Sequence, residues 1–166
     1  MAEESQGNGA YQLITPPNLL KAKVGTGGVG GIDPDLIKRA EDVIDTMSDE
    51  FAESVTREIM RLMKLAMDLE NDPAKAEKIL KKVRRVGHDL RGQGATYNYD
   101  LISDVAASLY RYTERLSGSA ALNGEVIRAH ADAMRAIIKN QVKGNGGEVG
   151  VDLVKSLDAL VDRMSG

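Results

Sequence analysis

The chain has no cysteine and no tryptophan, one phenylalanine, five tyrosines, two histidines and four prolines in 166 residues. Without cysteine there is no disulfide framework and no thiolate to bind a metal, which fits a reducing compartment. With so few aromatic rings, a core has to rest on Leu, Ile, Val, Ala and Met. No stretch approaches the roughly 18 consecutive apolar residues that a membrane-spanning helix needs. The start, Met1-Ala2-Glu3-Glu4-Ser5, has neither a basic n-region nor an apolar run, so no signal peptide is read there. Net charge is −3, and nothing global points to nucleic acid or to an anionic membrane as a partner. The expectation from these absences is a soluble, cytoplasmic protein, of a length that suits one domain with a real core.

What is present is helical periodicity, and no convincing strand pair accompanies it. Residues 1–33 stand apart. An apolar run with prolines, Tyr11 to Leu20, precedes a glycine-rich stretch, Gly25 to Gly31. Prolines favour an extended path and glycines a flexible one, so 1–33 is expected to be an extended or flexible N-terminal arm. The run from Tyr11 to Leu20 either packs along the rest of the chain or docks on a partner, and the first reading is preferred. Gly25, Gly27 and Gly30 formally match G-x-G-x-x-G, but no strand precedes them and no βαβ unit surrounds them, so nucleotide binding is not inferred.

Residues 34–166 are expected to fold as one helical domain. Asp33-Pro34 reads as a helix start. From there Leu36, Ile37, Ala40, Val43, Ile44, Met47, Phe51, Val55, Ile59, Leu62, Met63 and Leu69 keep helical spacing to residue 70. Ser48-Asp49-Glu50 reads as a possible fresh start, and so as a break near Met47. Met60, Met63 and Met67 have no Cys or His beside them, so they are read as core packing rather than a soft metal site. Asn71-Asp72-Pro73 ends this helix and caps the next, 74–95. Further helices are expected over 99–117 and 122–143, a glycine-rich connector over 144–150, and a last helix over 151–164. Long amphipathic helices with short turns predict an all-α fold: an up-down antiparallel four-helix bundle with an additional C-terminal helix.

The chemistry concentrates at Val86-Gly87-His88-Asp89-Leu90-Arg91-Gly92. At 3.6 residues per turn, Lys81 lies two turns before His88, Arg84 and Arg85 one turn before, and Arg91 and Gly92 one turn after. The apolar stripe Ala76, Ile79, Leu80, Val83, Val86, Gly87, Leu90 and Gly94 falls on another side, which places His88 at the solvent edge. An exposed imidazole is a nucleophile through a ring nitrogen. Nearby cations offset the charge of a transferring phosphoryl group. A glycine at i+4 removes bulk from the docking surface of a partner. His130, the other histidine, has no cationic ring or glycine around it and is read as a partly exposed structural residue.

His88-Asp89-Leu90-Arg91-Gly92 resembles the H-x-x-K-G signature of histidine phosphotransfer (HPt) domains. The continuation Gln93-Gly94-Ala95-Thr96-Tyr97-Asn98-Tyr99 is similar to the form in the phosphotransfer domain of chemotaxis histidine kinases. The resemblance runs from about Asp49 to Gly118, roughly half the chain. Arg91 stands where the family has lysine, and Asn98 replaces a closing glycine. Tyr110 occupies the place of the Glu or Gln that holds the imidazole on the following helix. The resemblance implies the same bundle fold and His88 as phospho-acceptor through Nε2. Arg91 with Lys81, Arg84 or Arg85 would offset the charge, Gly92 and Ala95 would belong to the docking surface, and Tyr110 would orient the ring. It implies a phosphorelay intermediate between a sensor histidine kinase or receiver domain and a response-regulator aspartate. It also implies no cofactor or metal on this chain, because Mg²⁺ sits on the partner receiver. No nucleotide site or kinase catalytic domain is read. The alternatives are a helical adaptor that binds a receiver or kinase without accepting phosphate, and, with little support, a hydrolase using His88 as base.

Overall fold

The computed structural model describes residues 34–118 and 121–165. The expected arm, 1–33, lies outside the described residues. The chain divides into two units, residues 1–37 and 38–166, and of the first only 34–37 are described. The described residues are all-helical: α1 (Pro34–Asn71), α2 (Ala76–Gln93), α3 (Asp100–Arg115), α4 (Gly124–Lys139) and α5 (Gly147–Met164). Short 3₁₀ turns, Pro73–Lys75 and Gly94–Tyr97, lead into α2 and out of it. No helix among the described residues is long and apolar enough to cross a membrane.

α1 runs unbroken through Ser48. The expected break does not form: Ser48 lies buried inside the helix, and its hydroxyl accepts from the Lys143 ammonium. Burial follows the helical step from there, with Phe51, Val55, Ile59, Leu62, Leu65, Ala66 and Leu69 inward. Val43, Ile44 and Met47 keep the spacing but remain exposed, because the core begins only at Ser48. At the other end of α1 the Asp72 side chain makes no cap hydrogen bond, contrary to expectation, and pairs with Lys75 at 3.1 Å. The connector expected over 144–150 is shorter, since α5 already starts at Gly147.

α1 and α4 run antiparallel: Glu70 pairs with Arg128 at the start of α4, and Ser48 meets Lys143 just past its end. Near that second end Phe51 stacks on Tyr97, with centroids 4.6 Å apart, and packs against Tyr99 at 5.8 Å. The Lys143 ammonium lies 3.8 Å from the Tyr99 centroid, a cation–π contact. Half of the six aromatic residues thus close one end of the core. α2 packs on α3 through Ile79, Val83, Val86, Gly87 and Leu90. α3 turns its own buried stripe, Leu101, Ile102, Val105, Ala106, Leu109 and Tyr112, into the centre. Tyr112 is fully buried, and its hydroxyl accepts from the Asn123 N–H at 2.8 Å and donates to the Ala121 carbonyl at 3.3 Å. That satisfies the backbone where the chain enters α4. α5 lies on α3 and α4, burying Leu157 and Val161, with Asp158 and Asp162 paired to Arg111 and Arg115 along the α3 edge.

Candidate functional site around His88

Gly87 decides how His88 is presented. A Cβ at Gly87 would lie 3.2–3.3 Å from the Tyr110 N and Cα and from the Ala106 carbonyl oxygen. A side chain there would have to push the α3 backbone back by a few tenths of an ångström, so glycine lets α2 come this close. The approach sets His88 opposite Tyr110, with ring centroids 6.0 Å apart and planes at 59°. The His88 side chain is 63% exposed, so the imidazole stands out in solvent. Its Nδ1 lies 3.4 Å from the Asp89 carboxylate, and Nε2 makes no hydrogen bond among the described residues. In the tautomer that carries its proton on Nδ1, facing Asp89, Nε2 keeps its lone pair.

Tyr110 is half-buried, and its contact with His88 is ring to ring. No hydrogen bond joins its hydroxyl to the imidazole, so the expected orienting bond is not formed. What the ring does hold is Arg91, whose guanidinium carbon sits 4.5 Å from the Tyr110 centroid. The three side chains form one cluster, His88 and Arg91 on α2 against Tyr110 on α3. The shared face comes from the 3-residue step between His88 and Arg91.

The expected ring of cations is looser than helical spacing implies. Lys81 is held by Glu77 at 2.8 Å, and the ammonium keeps the Glu77 carboxyl below its ordinary pKa. Arg84 points to α3, donating to the Thr113 carbonyl at 2.7 Å and pairing with Glu114 at 3.0 Å. Arg85 leans on Asp89 at 3.6 Å. Helical spacing identifies neighbours on a face, but acids on the same face and on α3 take up three of the four charges. Arg91 alone in this set has no carboxylate partner among the described residues.

At Gly92 a Cβ would meet nothing within 4 Å, which leaves the surface one turn beyond His88 open. Ala95 is exposed in the 3₁₀ turn, its N–H donating to the Ser103 hydroxyl at 3.1 Å. Asn98 adopts the left-handed conformation, φ 58°, that its place at the end of the turn demands. Among the described residues no group of three or more His, Cys, Asp or Glu comes together as a metal site.

His130 differs from its expectation: it is fully buried rather than partly exposed. The ring faces α3 across the core, where Ser108 meets it. Nδ1–H donates to the Val126 carbonyl at 2.8 Å, and Nε2 lies 3.2 Å from the Ser108 hydroxyl. That hydroxyl is also 2.6 Å from Asp158 of α5, which Arg111 contacts at 2.5 Å. The network ties α3, α4 and α5 together and contains no solvent-facing nucleophile. The partners come from residues 22 and 50 positions apart in sequence, so no local motif announces them. Burial pushes the His130 pKa below its ordinary value, against the opposing pull of the Val126 carbonyl and Asp158. An unfolded imidazole takes up its proton near pH ~6.5, whereas the buried one does so only at lower pH. Between those points the unfolded chain binds more protons, so stability falls as pH drops below about 6.5. In denaturant titrations at several pH values, His130→Gln is expected to flatten that slope; an unchanged slope would assign it to other groups.

In comparisons with known proteins, no family model, no curated protein and no solved structure matches the chain.

Proposed function

We propose that this protein is a histidine-containing phosphotransfer intermediate of HPt type, with His88 as the residue that carries the phosphoryl group. On this reading α1–α4 form an up-down antiparallel four-helix bundle and α5 is an additional helix alongside it. The observation that carries the proposal is the His88 cluster: a solvent-exposed imidazole with Nδ1 beside Asp89, Nε2 unengaged among the described residues, and Arg91 braced on Tyr110 one turn away. Such a nitrogen can attack the phosphorus of a receiver's aspartyl phosphate. The N–P bond forms as the acyl O–P bond breaks, and the carboxylate leaves. The reverse step, onto a regulator's aspartate, completes the relay. Arg91 is the cation available to offset the phosphoryl charge, and Gly92 and Ala95 leave the adjoining surface low enough for a receiver to approach. The receiver supplies the acidic pocket and its Mg²⁺, and such a relay operates in the cytoplasm.

The test is to mix the purified chain with a radiolabelled phospho-receiver and look for acid-labile, base-stable label on it. A second reading, an adaptor that binds receivers or kinases without accepting phosphate, is favoured by one observation. Lys81, Arg84 and Arg85 are already committed to carboxylates. Receiver binding without label, on chain shown to be folded, would select it.

A further inference from the structure

Met60 and Met67 do not behave as the core residues their spacing suggests, while Met63 packs against the core. Met60 is 60% and Met67 58% exposed, and Met63 is half-buried. With Ile59 of α1 and Ile138 of α4 they line an open groove of about 660 Å³ between the two helices. Isolated exposed apolar residues are ordinary, but a contiguous apolar groove marks an interaction surface. The rims are basic: Lys64 on one side, Arg135 and Lys139 on the other. Neither Lys64 nor Lys139 has an ion-pair partner among the described residues, while Arg135 pairs with Asp132 of its own helix.

The molecule already shows what fits a surface of this kind. α5 lies across α3 and α4 as an amphipathic helix, with Leu157 and Val161 inward. Its acids Asp158 and Asp162, one turn apart, meet the basic edge formed by Arg111 and Arg115 of α3. The α1–α4 groove offers the same combination, an apolar floor between antiparallel helices with a basic rim, and no helix among the described residues fills it. The groove's lining on α1, Thr56 to Met67, is about 16 Å long at 1.5 Å per residue, enough for three turns of a partner helix. Methionine is the side chain best able to reshape around such a guest.

We propose that the α1–α4 groove is a docking site for an amphipathic helix of a partner protein, with acidic residues flanking its apolar face. The partner's apolar residues at i, i+3/i+4 and i+7 pack on Met60, Met63, Met67 and Ile138. Its acids meet Lys64 and Lys139. This site does not depend on phosphoryl transfer at His88.

The experiment uses the full chain, ¹⁵N-labelled, and two synthetic 18-residue helical peptides with the same leucine face. One peptide has glutamates flanking that face and the other has lysines. The acidic peptide is expected to bind at least tenfold more tightly and to shift amides of Thr56–Met67 and Arg135–Lys139. The exposed double substitution Lys64→Glu with Lys139→Glu is expected to reverse the preference, and a His88→Gln chain to bind as the unaltered one does. The proposal is overturned if neither peptide binds, if both bind equally, or if the double variant keeps its preference. It is also overturned if the chain ignores both peptides and instead binds phosphatidylserine vesicles through Lys64 and Lys139.

Discussion

A His88→Gln chain is expected to carry no acid-labile, base-stable label under conditions where the unaltered chain carries it. Glutamine keeps a polar side chain of moderate size, but its amide nitrogen lone pair is delocalised into the carbonyl and cannot attack phosphorus. The fold has little stake in the substitution. The His88 side chain is 63% exposed and gives up only a 3.4 Å contact to Asp89 and a loose ring contact to Tyr110. Surface changes of this kind stay within about 0.5 kcal/mol, so the melting curve should be unmoved while transfer is lost. A Tyr110→Phe chain separates the two parts of the cluster. Because the ring, and not the hydroxyl, contacts His88 and Arg91, transfer is expected to proceed close to the unaltered rate. Label on the Gln variant equal to that on the unaltered chain would remove His88 from the mechanism.

Gly94→Ala is expected to be the most damaging single-methyl change near the site. The added Cβ would stand 2.6 Å from the Ser103 hydroxyl, 2.7 Å from the Tyr99 carbonyl oxygen and 2.9 Å from the Ser103 nitrogen. Two of those three atoms are backbone, and the segment cannot swing away. The Tyr99 N–H is bonded to the Gly94 carbonyl at 2.9 Å, and the Ala95 N–H to Ser103 at 3.1 Å. The backbone of Gly94 is ordinary right-handed helix, φ −56°, so the glycine is required for space and not for its dihedral freedom. Overpacking of this severity costs about 2–3 kcal/mol, which for a chain of this size lowers Tm by about 5–10 °C. Gly92→Ala is the matched control. Nothing lies within 4 Å of that position, so the same methyl should leave Tm unchanged or raise it slightly through helix propensity. Equal Tm values for the two variants would show that the α2–α3 turn yields more readily than its hydrogen bonds suggest.

Both predictions concern the same short stretch, and how much of it was readable from sequence depends on the range of the interaction. The stripe Ala76, Ile79, Val83, Val86, Gly87 and Leu90 is a local periodicity, and those residues are buried in α2. His88 on the opposite edge follows from the same geometry, as does the open surface at Gly92. Charge pairing did not follow. Arg84 is committed to Thr113 and Glu114, 29 and 30 positions on, and no reading of one helix face could assign that. Gly87 looked like one more small residue of the stripe, although it sets the distance between α2 and α3.

The sequence by itself determined that the described residues are helical, where their helices lie to within a few residues, and that one of the two histidines faces outward. These are properties of 3.6-residue spacing, of Pro73 at a helix start and of the small Gly-rich turns, all settled within a few neighbours along the chain. Tertiary structure decided everything that depends on which face meets which. It buried His130 against α3, left Met60 and Met67 in the open, and carried α1 through Ser48 without a break. It also left Arg91 as the cation beside His88 without a carboxylate partner among the described residues. The physical reason is common to all four: an amphipathic pattern says that a face must be covered, and only the packing of distant helices says by what.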